Sequence, residues 1–429
     1  MDYLWIYAGV LLLALVGHLL HQRRTQRAHA QELHDARAAG LAEPPSLHPV
    51  IDPVRCLGSG SCVKACPEDA LGIVGGKAVL KNASACIGHG ACEAACPFDA
   101  IQLVFGTENR GIEIPNLSPD FETDVPGIFI AGELGGMGLI RKAAQQGRQA
   151  IEAIRKRERG EFEHDVVIVG AGPAGISAGL AAIERGLAHV LIEQEDSLGG
   201  AVFHYPRNKV TMTAPVELAL VGKVQFREIR KEKLLEFWSD IIERTGLQIR
   251  FRQRLTGIVR DGEGFVVKTD KGELRTRSML LALGRRGTPR KLGVPGEESA
   301  KVVYRLVDAE QYRGQAVLVV GGGDSALEAA IALAGEDGTE VTLSYRSAAF
   351  SRVKQKNRDA LDALKTDGRL VVLMESGVES IAESEVRIAV AGEVRTLAND
   401  AVIVCAGGQL PTALLREVGI GIETKYGTR

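Results

Sequence analysis

The chain has 429 residues, of which 45% are hydrophobic and 25% are charged, and its formal net charge is -2. This composition is typical of a globular protein with room for two or three domains, and it excludes collagen-like and disordered chains. A nearly neutral chain offers no electrostatic attraction to nucleic acid, so we expect no nucleic-acid partner. Six of the seven cysteines lie between Cys56 and Cys96. Such crowding argues against a secreted disulfide scaffold and indicates metal binding.

The first apolar run, from Tyr3 to Leu20, is long enough to cross the hydrocarbon core of a bilayer. Aromatic residues stand at its start and arginines follow its end, so the positive-inside rule predicts a single-pass membrane protein with a cytoplasmic catalytic body. We therefore predict a transmembrane anchor over residues 1–22 and a linker over 23–50, with a polar helix from His21 to Arg37. A cleaved signal peptide and a buried helix of a soluble protein are the open alternatives.

Two segments, CLGSGSCVKACPEDAL from Cys56 and CIGHGACEAACPFDAI from Cys86, form an internal repeat. Each resembles the bacterial two-cluster ferredoxin run with its second cysteine replaced, by Ser59 in one repeat and by His89 in the other. The resemblance implies a small α+β ferredoxin-like module over residues 51–108. Its iron–sulfur ligands would be the six clustered cysteines: Cys56, Cys62, Cys66, Cys86, Cys92 and Cys96.

In such ferredoxins the cysteine before the proline binds the other cluster. Carried over, this pairs Cys56 and Cys62 with Cys96, and it pairs Cys86 and Cys92 with Cys66. Three thiolates per site allow a three-iron cluster, or a four-iron cluster whose odd iron takes Ser59, His89 or a solvent oxygen. A zinc site and a module that has lost its metal are the alternatives, although zinc ribbons usually lack this proline and this repeat.

A first dinucleotide pattern begins at Asp165, where an apolar strand leads into Gly170, Gly172 and Gly175. A helix follows, and the next strand ends at Glu193. Strand, glycine turn, helix and an acid about 20 residues downstream together predict a dinucleotide site. The pyrophosphate would lie at the helix N-terminus, and Glu193 would bind the ribose hydroxyls.

A second unit, AVLVVGGGDSALEAA, has Gly321, Gly323 and Ala326 in the same three positions. Its second strand ends in Tyr345 and Arg346, without an acid. An arginine there favours the 2′-phosphate of NADPH over the free ribose of NADH. An ordinary surface arginine is the alternative.

The two units, together with LLALGRRGTP from Leu280 and AVIVCAGGQLPT from Ala401, resemble the thioredoxin-reductase-like flavoprotein reductases over about residues 112–429. In that family the first unit binds FAD and the second binds NADPH. The family's closing segment corresponds to TDVPGIFIAGE, which ends in Gly132 and Glu133 and here precedes the first unit. We interpret this order as a circular permutation. By resemblance, Glu133 would bind the flavin ribityl chain.

The sequence thus predicts an α/β protein with two Rossmann-like dinucleotide-binding domains, the ferredoxin-like module and the N-terminal transmembrane helix. The FAD-binding domain is predicted over residues 109–298 and 399–429, with its closing segment 111–160 placed first, and the NADPH-binding domain over 299–398. The redox C-x-x-C of thioredoxin reductases is missing, and we find no hydrolytic constellation. No catalytic residue is therefore assigned.

We expect an FAD-dependent enzyme that is anchored in the membrane and passes electrons between NADPH, FAD and two iron–sulfur clusters. Its partner is an unidentified electron acceptor or donor, a small redox protein or a quinone, because flow in the reverse direction is equally allowed. A quinone reductase is one alternative, and a redox-sensing or NADPH-sensing protein with structural clusters is another. A homodimer is one expected assembly.

Overall fold

The computed structural model describes residues 2–38, 44, 47–86, 88, 90–108, 111–136, 138–158, 161–205, 207, 209–212, 215–226, 228–285, 288–350, 353–409 and 411–427. The chain divides into two compact units. The first comprises Met1–Ile112, Ser347–Asp362 and Lys425–Arg429, and the second comprises Glu113–Arg346 and Ala363–Thr424.

The first unit combines a long helix with small elements that carry the cysteine repeat. Its elements are α1 (Asp2–Ala38), β1 (His48–Ile51), α2 (Ser61–Ala65), β2 (Leu71–Val74), β3 (Lys77–Leu80), α3 (Ala91–Ala94) and β4 (Ile101–Val104). Strand β1 pairs antiparallel with β4, and β2 pairs antiparallel with β3. Strands β1 and β4, which pair with each other, thus come from the two ends of the module.

Helix α1 runs without a break through most of the region predicted as a linker. The first proline of the chain is Pro44, so no proline interrupts the helix. The second half of α1 packs on the module, where His29 Nδ1 lies 3.1 Å from the amide nitrogen of Ile73. Buried Lys81 places its Nζ 2.8 Å from a carboxylate oxygen of Glu32 and 2.8 Å from one of Asp69. The structure thus confirms the polar helix predicted from His21 to Arg37, which lies within the region 23–50 assigned as a linker.

The predicted transmembrane anchor over residues 1–22 does not find support in the structure. Across the described part of the chain, no helix combines the length and the apolar character that crossing a membrane requires. Part of the prediction concerns the side chains of residues 1–6 and 8, which lie outside the described ones. Among the described side chains of α1, Leu11 and Leu13 are exposed.

The first part of the second unit contains the first dinucleotide pattern and the segment that precedes it. They are β5 (Ile112–Pro115), β6 (Ile128–Ile130), α4 (Ile140–Arg155), β7 (His164–Val169), α5 (Pro173–Glu184), β8 (His189–Ile192), β9 (Val210–Met212), β10 (Val216–Leu218), β11 (Gly222–Val224), β12 (Glu228–Arg230), α6 (Lys231–Thr245), β13 (Ile249–Arg250), β14 (Leu255–Asp261), β15 (Gly264–Thr269) and β16 (Gly272–Leu281). The main sheet has the order β13-β8-β7-β16-β15-β14, and β6 also pairs with β16. Strands β13, β8, β7, β6 and the end of β16 are parallel. Strands β7 and β6 are almost entirely buried, as expected for a parallel sheet covered on both faces.

The segment that precedes the first glycine motif completes this sheet. Ile128 pairs with Met279 and Ile130 pairs with Leu281, so β6 lies beside the end of β16. Helix α4 then packs on α5 so closely that a Cβ at Gly147 would lie 2.1 Å from the Ala174 carbonyl oxygen. Strand β6 thus joins the first sheet and helix α4 packs on its helix α5, although both precede β7 in the chain. The permutation interpretation requires this order.

The second dinucleotide pattern forms its own parallel sheet. The remaining elements are β17 (Thr288–Pro289), β18 (Val302–Val303), β19 (Ala316–Val320), α7 (Asp324–Ala334), β20 (Glu340–Ser344), α8 (Gln355–Thr366), β21 (Leu370–Leu373), β22 (Ser376–Ile381), β23 (Glu385–Val390), β24 (Glu393–Ala398), β25 (Ala401–Val404), β26 (Gly408–Gln409), α9 (Thr412–Glu417) and β27 (Ile422–Lys425). The parallel order is β18-β25-β19-β20-β21, and β22, β23 and β24 form an antiparallel meander.

Strand β25 corrects one predicted domain boundary. The sequence analysis assigned residues 399–429 to the FAD-binding domain, but Val402 pairs with Val302 on one side and with Leu318 on the other. An apolar run of four buried residues fits the centre of either parallel sheet, so its composition did not decide between them. Only later do Leu415 and Ile420 join the core of the first sheet.

Candidate cofactor sites

The repeat in the cysteine sequence is also a repeat in backbone conformation. Short helices α2 and α3 are each preceded by a left-handed glycine, Gly60 at φ +74° and Gly90 at φ +77°. Asp69 and Asp99, at equivalent positions after the prolines, adopt left-handed φ values of +48° and +46°. Non-glycine residues rarely adopt this conformation, so the two loops share an unusual path.

The first group of thiols combines Cys56 and Cys62 with Cys96 from the other repeat. Burial raises the pKa of the Cys62 thiol, and the nearby Cys56 and Cys96 thiols act in the same direction. Two backbone amides point at sulfur: Ala78 N lies 3.4 Å from Cys56 Sγ, and Ala100 N lies 3.4 Å from Cys96 Sγ. Hydrogen bonds to sulfur are one of the means by which proteins tune iron–sulfur potentials.

The second group combines Cys86 and Cys92 with Cys66 from the first repeat. All three line one cavity, together with Gly88 and Gly90. Burial raises the pKa of the Cys92 thiol to about 11, and the Cys86 and Cys66 thiols add to this effect. Within the described residues, no three His, Cys, Asp or Glu side chains meet the spacing for a single metal ion. The structure thus forms the two crossed groups that the ferredoxin resemblance implied.

The six thiols are the ligand type that iron–sulfur clusters take. At two glycines the loops around them approach other backbone segments too closely for a side chain. A Cβ at Gly58 would lie 2.1 Å from the Gly76 carbonyl oxygen, and one at Gly88 would lie 2.8 Å from the Leu47 carbonyl oxygen. Ser59, one replacement for the missing cysteine, is exposed, and its hydroxyl lies 3.3 Å from that of Ser61. The other replacement, His89, lies outside the described residues.

The first glycine motif connects β7 to α5, and its three glycines have different surroundings. A Cβ at Gly170 would lie 2.5 Å from the Ala282 carbonyl oxygen, and one at Gly175 would lie 1.8 Å from the Gly170 carbonyl oxygen. These two glycines let strand and helix pack closely. A Cβ at Gly172, which caps α5, would lie 3.9 Å from its nearest neighbour, the Cα of Gly200. Open space before a helix N-terminus is what a pyrophosphate needs.

Glu193 lies directly after β8 and is buried. Its Oε2 accepts a hydrogen bond from the Ala171 amide at 2.7 Å, and its Oε1 accepts one from the Glu195 amide at 3.0 Å. The carboxylate is therefore fixed at the glycine turn. Each carboxylate oxygen has a further lone pair, so ribose hydroxyls can still donate to Glu193. Its role in ribose binding stays a prediction.

The closing segment places Gly132 and Glu133 directly after β6. Gly132 has φ +85°, and its amide donates to Gln146 Oε1 at 2.8 Å, so α4 fixes this turn. Arg285, which follows β16, lies near Glu133 and donates to the Glu113 carbonyl oxygen at 3.1 Å. Burial lowers the pKa of Arg285, and the two glutamates oppose this effect. Arg285 stands in LLALGRRGTP, where the sequence pattern predicted no role for it.

The second motif repeats the same construction between β19 and α7. A Cβ at Gly321 would lie 2.4 Å from the Cys405 carbonyl oxygen, whereas the place of a Cβ at Gly323 is open to at least 4 Å. Ala326 is fully buried. Arg346 is exposed after β20.

The sequence analysis missed the position of Tyr345 in this second motif. Its ring lies so close to Gly322 that a Cβ there would be 2.1 Å from a ring carbon. Three consecutive glycines, where the motif needs two, were the signal for such a contact.

Comparison with known proteins supports this division of the chain. Residues 167–428 match the family described as pyridine nucleotide-disulphide oxidoreductase, and residues 48–97 match the 4Fe-4S dicluster domain. Bacilliredoxin reductase Bdr of Bacillus subtilis is 26% identical over 274 residues, which are 62% of this chain and 83% of that protein. A ferredoxin–NADP reductase of Ignicoccus hospitalis is 30% identical over 187 residues, 43% of this chain and 57% of that protein. The chain thus spans little more than half the length of that reductase.

Among solved structures, bacillithiol disulfide reductase Bdr from Staphylococcus aureus aligns with a TM-score of 0.54 and 25% identity. The alignment covers 60% of this chain and 80% of that one. The oxidoreductase family match covers well over half of the present chain. The chain therefore belongs to the pyridine nucleotide-disulphide oxidoreductase family, as an FAD-dependent NAD(P)H oxidoreductase that carries a 4Fe-4S dicluster domain.

Proposed function

We propose that the protein transfers electrons between NADPH and a redox partner, by way of FAD and two iron–sulfur clusters held in its own N-terminal module. The observation that carries the proposal is the pair of crossed thiol groups, in the same chain as two dinucleotide-binding folds. When bound, the flavin supplies the exchange between two-electron hydride chemistry and one-electron transfer. The chain supplies binding, orientation and electrostatics.

The residues of the first motif would bind and orient the FAD. The amides at the start of α5 face the open space at Gly172, where they favour an anionic pyrophosphate. Glu193 is held by two backbone amides, so it needs little reorganisation to accept hydrogen bonds from ribose. Glu133 and Arg285 place opposite charges at the ends of β6 and β16. These groups are the chain's own means of setting the environment of the flavin.

The cysteines favour the clusters over a disulfide as the electron acceptor. Beyond the six clustered cysteines the chain has only Cys405, which follows β25 and is half-buried. The first glycine motif contains no cysteine, and Ala174 within it is buried. Two thiols near the flavin are needed for dithiol exchange, and the chain has no such pair outside the module.

Arg346 carries the proposed preference for NADPH. Replacing it with alanine should raise the KM for NADPH roughly tenfold to a hundredfold, since a hydrogen bond to a charged group contributes about 1.5–3 kcal/mol. The KM for NADH should change little. Steady-state kinetics with both nucleotides measures the ratio of the KM for NADPH to the KM for NADH. In Arg346→Lys, which keeps a charge, this ratio should lie between those of the wild type and of Arg346→Ala. Equal losses for NADPH and NADH would refute this role for Arg346.

Anaerobic stopped-flow mixing with NADPH tests the proposed function. We expect flavin absorbance to fall first and cluster absorbance to bleach afterwards. A bound flavin that NADPH never reduces would instead favour the sensor hypothesis. Reduced flavin with clusters that stay oxidised would remove the clusters from the electron path.

Membrane attachment with a cytoplasmic body is a separate proposal. What supports it is the apolar run in the sequence and the exposed apolar side chains of α1, such as Leu11 and Leu13. A carbonate wash of cell membranes distinguishes attachment from its absence, because only inserted protein stays with the pellet. Attachment is also what the quinone reductase hypothesis requires, and reduction of a lipid-soluble quinone in vesicles would test it.

A further inference from the structure

A segment from the second half of the chain, Ser347–Asp362, is folded with the cysteine module in the first unit. It brings Arg358, which is only 9% exposed, onto the loop that precedes Cys86. Arg358 donates a hydrogen bond to the Ser84 hydroxyl at 3.1 Å. Ser84 is itself buried and lies two residues before Cys86. A charged group from a remote part of the chain thus lies against one repeat.

The contact continues toward the thiol through Asn82. The Ser84 hydroxyl donates to Asn82 Oδ1 at 2.8 Å, and the same oxygen accepts from the Ala85 amide at 3.3 Å. The next amide, that of Cys86, donates to the Ala83 carbonyl oxygen at 3.2 Å. These bonds form the tight turn that presents Cys86 to its cavity. Arg358 therefore holds the turn through Ser84.

The other hydrogen bonds of Arg358 hold the guanidinium in place. It donates to Gln355 Oε1 at 2.6 Å and to the Val353 carbonyl oxygen. Arginine keeps its proton in proteins, so this buried group brings a fixed positive charge. In a low-dielectric interior such a charge acts over several ångströms more strongly than it would in water.

The equivalent position in the first repeat has no hydroxyl that could make this contact. Because Cys86 corresponds to Cys56, Ser84 corresponds to Val54, which is 85% exposed. The chain therefore contains two similar thiol groups, one with a buried guanidinium on its loop and one with an exposed aliphatic side chain at the same position. The first site has a cation of its own, since Lys77 Nζ donates to the Cys56 carbonyl oxygen at 2.7 Å.

We propose that Arg358 is a positioning residue that raises the reduction potential of the cluster held by Cys66, Cys86 and Cys92. The inference rests on the proposed function, since it requires both clusters to be bound and redox-active. A reduced cluster carries one more negative charge than an oxidised one, so a nearby guanidinium stabilises the reduced form.

The test is a potentiometric titration of the whole protein, followed by low-temperature EPR. Cys62→Ala and Cys92→Ala proteins first assign the two cluster signals. Arg358→Gln removes the charge and keeps an amide donor toward Ser84, whereas Arg358→Lys keeps a positive charge. We expect Arg358→Gln to shift the potential of the second cluster to a more negative value and to leave the first unchanged. Arg358→Lys should keep the potential of the second cluster close to its wild-type value.

Iron and sulfide analysis of each variant separates this inference from the function on which it rests. Wild-type protein without iron and sulfide would refute the clusters themselves. Full clusters with unchanged potentials in Arg358→Gln would overturn only the role of Arg358, and so would equal shifts at both clusters. Should Arg358→Gln lose iron from the second site, Ser84→Ala, which keeps the charge, becomes the deciding variant. A wild-type potential in Ser84→Ala then supports a charge effect, and a clearly more negative potential in Ser84→Ala, which keeps the guanidinium, contradicts it.

Discussion

Replacing Cys62 and Cys66 together is expected to remove both clusters, whereas replacing Cys66 and Cys92 together should remove only one. The reason is the crossing of the two thiol groups, in which Cys62 lies with Cys96 and Cys66 lies with Cys92. A site that loses one of three thiolates has too few ligands to hold its cluster. Iron per protein should therefore fall close to zero in the first variant and to about half in the second, as measured by iron and sulfide analysis.

Both variants carry two alanines, so the number of lost thiols cannot explain a difference between them. Cys405→Ala serves as the control, because Cys405 follows β25 in the second unit and should leave the iron content unchanged. If the ligands followed the repeats without crossing, the two double variants would exchange their iron contents. That result would overturn the assignment of the sites.

Gly172→Ala and Gly175→Ala, three residues apart in one motif, should fail in different ways. At Gly175 an added Cβ would lie 1.8 Å from a backbone oxygen, so strand β7 and helix α5 would have to separate. Overpacking of this kind costs about 1–3 kcal/mol, and we expect a clear fall in Tm. At Gly172 the nearest atom is 3.9 Å away, so the fold should persist. The added methyl would instead fill the space proposed for the pyrophosphate, and FAD should bind roughly tenfold more weakly or worse.

Thermal unfolding of the apoprotein and fluorescence titration with FAD separate the two effects. Gly172→Ala should unfold near the wild-type temperature while its Kd for FAD rises. Normal FAD binding by Gly172→Ala would show that the flavin does not approach this turn. A Gly175→Ala protein as stable as the wild type would show that β7 and α5 are not packed as the structure has them.

The features that the sequence predicted well are those that depend on short stretches of chain. The glycine motifs specify their own turns, because Gly170 and Gly321 must avoid backbone atoms of the adjacent strand. The two cysteine loops were recognisable because a proline and a repeat fix their form. The permuted strand β6 could also be inferred, since its motif is distinctive wherever it stands in the chain.

The features that it predicted poorly depend on long-range contacts. Strand β25 is an apolar run that suits two sheets, and only pairing with β18 and β19 decides between them. The second half of α1 reads as a solvated helix until Lys81 and Ile73 supply its partners, which come from the module. Arg358 lies 274 residues from Ser84, and no local pattern connects them.

The crossed arrangement of the thiols also determines when each site can be finished during synthesis. The loop that begins at Cys56 emerges from the ribosome first, yet its third thiol is Cys96, the last of the six to be made. The neighbouring site is ready earlier, once Cys92 has been added. A nascent chain that stops between the repeats therefore has exposed thiols but no complete three-thiol site. Iron can be loaded only after both loops have been made and have folded against each other.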